Sequence, residues 1–104
     1  MKNFCAEIQW TSCSMDGRKT LPQLGVLYYP HISINREIDN RSWSVCFPIT
    51  PINYDGSSTI CFSMLVDNKD TRQFSSKLCV GMNFTLSEGN TIVATGKIKQ
   101  ILTV

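Results

Sequence analysis

The sequence predicts an all-β fold, a sandwich or a barrel, on three observations. Apolar residues recur at every second position through most of the chain, Gly-containing turn signals separate several of the alternating runs, and the last third reads as a hairpin. Successive side chains of an extended chain leave opposite faces, so a period of two marks a strand with one buried face. Such runs, punctuated by turn residues, are the pattern of antiparallel all-β folds.

Taken in order, Phe4, Ala6, Ile8 and Trp10 alternate with Cys5, Glu7 and Gln9, giving a first strand, and Asp16-Gly17 supplies a turn. Gly25 to Ile34 is rich in Tyr and Ile and reads as a second strand; Pro30 inside it has no N–H to donate, which predicts an edge or a bulge. Trp43, Val45, Phe47 and Ile49 alternate with Ser44, Cys46 and Pro48, and Ile60, Phe62, Met64 and Val66 with Cys61, Ser63 and Leu65. Asp55-Gly56 is the turn signal between those two runs, in a loop whose Pro51 is barred from a central strand. Residues 67–76 are polar and predict a loop or one short helical turn. Leu78, Val80, Met82, Phe84 and Leu86 continue the pattern on one face, and Ile92 to Leu102 forms the last strand. The expected core holds Phe4, Ile8, Trp10, Val45, Phe47, Phe62, Met64, Phe84 and Ile98. In Asn83 to Ile98 the Glu88-Gly89-Asn90 step makes the tight turn, since Gly and Asn tolerate positive φ.

Bulk properties narrow the function. The 104 residues fit one domain spanning 1–104, and 42% hydrophobic against 17% charged residues is a globular balance. A net charge of +2 demands no polyanion partner. The N-terminal residues contain no apolar run of signal-peptide length, and no stretch reaches the ~18 apolar residues of a membrane helix. The five cysteines, Cys5, Cys13, Cys46, Cys61 and Cys79, are odd in number and form no C-x-x-C pair. They read as free thiols acting as small hydrophobes, with no metal site, no cofactor and a cytoplasmic setting expected. His31 is the single histidine. Paired with Cys46 or Cys61 it could in principle activate a nucleophile, but no surrounding motif supports this, and the chain is expected not to be an enzyme.

Three blocks resemble the C-terminal β-barrel, the third domain, of elongation factor Tu and related translation GTPases. The first runs from Glu7-Ile8 to Asp16-Gly17-Arg18-Lys19-Thr20, similar to the family's opening strand and Gly-Arg turn, with Leu21 intervening before Pro22. The second is Gly25 to Ile34, with two extra residues between Gly25 and Pro30. The third is the closing hairpin, through Phe84, Glu88-Gly89 and Ala94-Thr95-Gly96. The resemblance implies a single six-stranded antiparallel β-barrel. The chain has no G-x-x-x-x-G-K-[ST] loop, so no nucleotide is expected. In the family this barrel grips the T-stem of aminoacyl-tRNA. Carried over position by position, that contact would fall on Arg18, His31 (where the family has Gln), Glu88 and Gly89. Arg18 would hold a phosphate, and the turn would meet 2′-hydroxyls. The implied partner is structured RNA, tRNA above all. The alternative is a protein partner, as for an immunity or inhibitor protein, with Tyr28, Tyr29 and Trp43 as aromatic anchors. Each proposed contact also has a plain structural reading: Arg18-Lys19 as a solvated turn, Glu88-Gly89 as a hairpin turn, and Lys97 and Lys99 as charges that keep an outer strand face soluble.

Overall fold

The alternating strands pair side by side into a sheet that closes on itself. The computed structural model describes residues 2–11, 24–34 and 42–103. Their elements are β1 (Lys2–Trp10), β2 (Leu27–Tyr28), β3 (His31–Ile34), β4 (Ser42–Pro48), β5 (Ser57–Met64), α1 (Lys69–Ser75), β6 (Asn83–Glu88) and β7 (Thr91–Thr103). Every pairing is antiparallel, the order is β2-β4-β3-β6-β7-β1-β5, and β4 also pairs with β5 to close the sheet. The described residues therefore form a closed six-stranded antiparallel barrel with one extra short strand and one short helix.

The extra strand β2 is β3 continued past Pro30. Leu27 and Tyr28 lie opposite Pro48 and Phe47, and His31 and Ile32 lie opposite Ser44 and Trp43, so the register against β4 never slips. Val45 N–H donates to the Pro30 carbonyl at 3.1 Å across the gap. Of the two outcomes Pro30 allowed, an edge is what forms: β2 pairs with β4 alone, whereas β3 also pairs with β6.

All nine residues expected in the core are buried. Phe4 stacks on Phe62 at 5.3 Å between ring centroids, and Phe62 meets Phe84 edge-on at 5.7 Å. Each fully buried side chain of this size contributes roughly 1.5–3 kcal/mol over leaving it in water. The segment 67–76 contains the short helix. Asn68 caps it: Thr71 N–H donates to Asn68 Oδ1 and Asn68 N–H donates to Thr71 Oγ1, both at 2.9 Å. Phe74 leaves the helix to stack on Trp43 at 5.0 Å.

Three expectations need correction. The run from Leu78 to Met82 is no strand: Val80-Gly81 is a turn, Gly81 takes φ 92°, and Val80 is exposed. Only Gly tolerates that φ without strain, and the turn ends the alternation there. The run through Val66 also stops early, because β5 ends at Met64 and Val66 lies outside it, exposed. Finally, the cysteines are not all free. Cys5 and Cys61 stand directly opposite on β1 and β5 with Cα atoms 4.1 Å apart, joined as a disulfide, while Cys46 and Cys79 are free thiols. Neighbouring strands bring opposed residues within the span of a disulfide. The turn expected at Asp16-Gly17 lies outside the described residues.

Candidate functional site

The end of the barrel where β6 turns into β7 carries three of the four proposed contact residues, and the structure divides them. Gly89 takes φ 57° at the exposed tip of the hairpin, the conformation its turn requires. Val93 and Ala94 are both buried, because the register slips by one residue between Leu86 and Ser87. Glu88, half-buried, accepts a hydrogen bond from the Tyr28 hydroxyl through Oε1. The buried Tyr28 ring lies 5.8 Å from Trp10 and meets Phe47 edge-on at 5.6 Å. Trp10 Nε1–H donates to Ser58 Oγ at 3.1 Å, and Ser58 Oγ–H donates to the Pro51 carbonyl at 3.1 Å. Glu88 thus caps an aromatic plug. His31, by contrast, is exposed on β3 opposite Ser44 and Ser87, on the outer face. The two residues occupy neighbouring strands but serve different surfaces. Arg18 lies outside the described residues.

A nearby turn is built by its own side chains. Ser57 donates to the Asp55 carboxylate through Oγ at 2.7 Å and through its N–H at 3.0 Å. Those two bonds, the side-chain one foremost, hold the exposed Asp55 carboxyl below its ordinary pKa. Gln9 Nε2 donates to the Asp55 carbonyl at 2.6 Å, tying the turn to β1.

Beside this end lies an apolar surface that alternation alone does not reveal. Leu24, Val26, Leu27 and Tyr29 are exposed, Leu24 at 66% and Tyr29 at 53%. The adjoining segment is held by two bonds, Gly25 N–H to the Ile49 carbonyl at 2.9 Å and Ile49 N–H to the Val26 carbonyl at 3.0 Å. In the loop between β4 and β5, Ile52 and Tyr54 are also exposed. Trp43, expected as a third anchor, instead packs on Phe74 and the core.

A separate groove of about 610 Å³ opens along β1, β3, β6 and β7, lined by Glu7, Gln9, Ser33, Thr85, Thr95 and Lys97 among others. Lys97 lies between Glu7 and Asn83 in the strand register. Among the described residues, no group of three or more His, Cys, Asp or Glu is placed to hold a metal ion, and no helix is long and apolar enough to cross a membrane. Comparison with protein-family models and with curated proteins found no match to this chain.

Proposed function

We propose that this barrel is a non-catalytic binding module whose partner is a protein. The observation that carries the reading is the run of exposed apolar residues Leu24, Val26, Leu27 and Tyr29 at and beside β2. Contiguous exposed apolar residues mark interaction surfaces more than isolated ones do, and Tyr is a favoured anchor in such contacts. An immunity or inhibitor protein is the kind of function this supports. The expectation of a cytoplasmic setting rests on free thiols throughout; the Cys5–Cys61 disulfide counts against it, and only the free thiols of Cys46 and Cys79 favour it.

A second reading follows from the resemblance to the elongation-factor barrel: structured RNA, such as tRNA. Lys97 and Lys99, both exposed on β7, favour it. The Tyr28–Glu88 bond weakens it, since that bond engages one of the residues meant for 2′-hydroxyls.

Affinity purification from native cytoplasm, with and without nuclease, tests both. The protein reading expects a partner that survives nuclease and is lost with Tyr29→Glu or Leu27→Glu. A partner released by nuclease, and retained by both variants, would replace it with the RNA reading. In that case binding to purified tRNA should fall steeply with salt, as phosphate contacts require.

A further inference from the structure

Three cysteines share one patch of the barrel's outer face. Cys5 and Cys61 oppose each other on β1 and β5, and Cys46 on β4 opposes Ser63, two positions from Cys61 along β5. Their neighbours fix their direction. Phe4 and Ala6 flank Cys5, Ile60 and Phe62 flank Cys61, and Val45 and Phe47 flank Cys46, all six buried in the core. In a strand, a residue between two core-facing neighbours points outward. Cys61 is exposed, Cys5 and Cys46 are half-buried, and Cys46 keeps a free thiol. Cys46 and Cys61 are therefore diagonal neighbours on one face, a relation that places Cα atoms about 7–8 Å apart and Cβ atoms closer.

We propose that these three residues form a thiol–disulfide exchange site in which Cys46 is the attacking thiol. The Cys46 thiolate attacks Cys61 Sγ, a Cys46–Cys61 bond forms, and the Cys5–Cys61 bond breaks. Cys5 leaves as a thiolate and takes up a proton to match the one Cys46 released, so no oxidant or reductant is consumed. The exchange moves the cross-link from β1–β5, which has six paired positions, to β4–β5, which has two. A disulfide spans Cα separations up to about 6.8 Å, and the two-residue offset runs along the strands, so β4 must slide slightly along β5 to accept it. The β4–β5 seam has fewer paired positions than β1–β5, with the Leu65 N–H to Ser44 carbonyl bond at 3.0 Å beside them. The exchange thus shifts a covalent link onto the joint that closes the barrel.

Native-state alkylation with iodoacetamide, followed by peptide mass mapping, tests this. The protein is air-oxidised and carries Cys13→Ser and Cys79→Ser, so that only the three cysteines in question remain. The expected result is label on Cys46 in some molecules and on Cys5 in others, with a Cys46–Cys61 linked peptide present. Adding Cys46→Ser should cut labelling of Cys5 at least tenfold; Cys46→Ala, read in the same way, keeps the test decisive if the serine loosens β4. Label confined to Cys46, with only the Cys5–Cys61 peptide found, would overturn the proposal. So would equal labelling of Cys5 and Cys61 whether or not Cys46 is present.

Discussion

Gly96→Ala puts the packing of this barrel to a sharp test. Gly96 lies on β7 between Ile8 of β1 and Phe84 of β6. A Cβ built on it would fall 2.5 Å from Phe84 Cζ, 2.9 Å from Phe84 Cε1 and 2.8 Å from Ile8 Cγ2. Carbon atoms at rest sit about 3.5–4.0 Å apart, so roughly an ångström of overlap must be relieved. Phe84 cannot swing away freely, because its ring meets Phe62 edge-on and Phe62 in turn stacks on Phe4. Overpacking of this kind costs about 1–3 kcal/mol. Removing the freedom of a glycine in the unfolded chain returns roughly 0.4–1 kcal/mol. The net loss expected is therefore about 1–2 kcal/mol, or a fall of several degrees in Tm for a domain near 100 residues. Urea unfolding followed by tryptophan fluorescence measures it. Phe84→Leu shortens the obstructing side chain, so in the Gly96→Ala background it should cost less than in the wild type, a coupling of about 0.5–3 kcal/mol. A Gly96→Ala protein as stable as the wild type, or strictly additive effects in the double variant, would refute the account of the core.

Three further outcomes follow from the same structure. Ser58→Ala leaves the buried Trp10 Nε1–H without its acceptor and should cost about 1–3 kcal/mol in urea unfolding; a loss below half of that would mean another group takes over. Asn68→Ala removes one half of the capping box and should cost about 1 kcal/mol, seen first as faster amide exchange at Thr71; unchanged exchange would show that the cap does not hold the helix. Asp55 and Asp67, lowered by hydrogen bonds from Ser57 and Arg72, should titrate by NMR below 3.8, the ordinary carboxylate value. Because the folded values are depressed, their support for the fold is present above that pH and fades as acid protonates them. Both groups are exposed, so the effect on stability should be small, and either carboxyl titrating at or above 3.8 would contradict the bonding described.

The fold was legible because alternation is a local signal. Phe4, Ile8 and Trp10 announce one buried face without reference to anything else in the chain, and the same holds for Val45 and Phe47 or Phe62 and Met64. Glu88-Gly89-Asn90 was legible for a similar reason, since the turn needs a positive φ at the glycine and the structure supplies it. The signal failed where a local break outweighed the pattern. Val80 continues the alternation on paper, but Gly81 turns the chain there and leaves Val80 in solvent.

The candidate sites were not legible, because each depends on which strands become neighbours and in what register. Alternation says that Cys5, Cys46 and Cys61 point outward; only the pairing of β5 with both β1 and β4 gathers them on one patch. The same holds for Tyr28 and Glu88, 60 positions apart, which the barrel brings into a hydrogen bond. The apolar edge has its own cause. Pro30 ends the regular strand, β2 keeps its register with β4 but no longer pairs with β6, and its outward residues are left at the rim. Val26 and Pro30 both direct their carbonyls toward β4, so by alternation Leu27 and Tyr29 direct their backbone groups to the opposite side. Among the described residues no strand pairs there. Leu27 and Tyr29 therefore combine outward apolar side chains, which alternate with buried Tyr28 and Pro30, with a free backbone edge, and they are where a partner that docks on this barrel should be sought first.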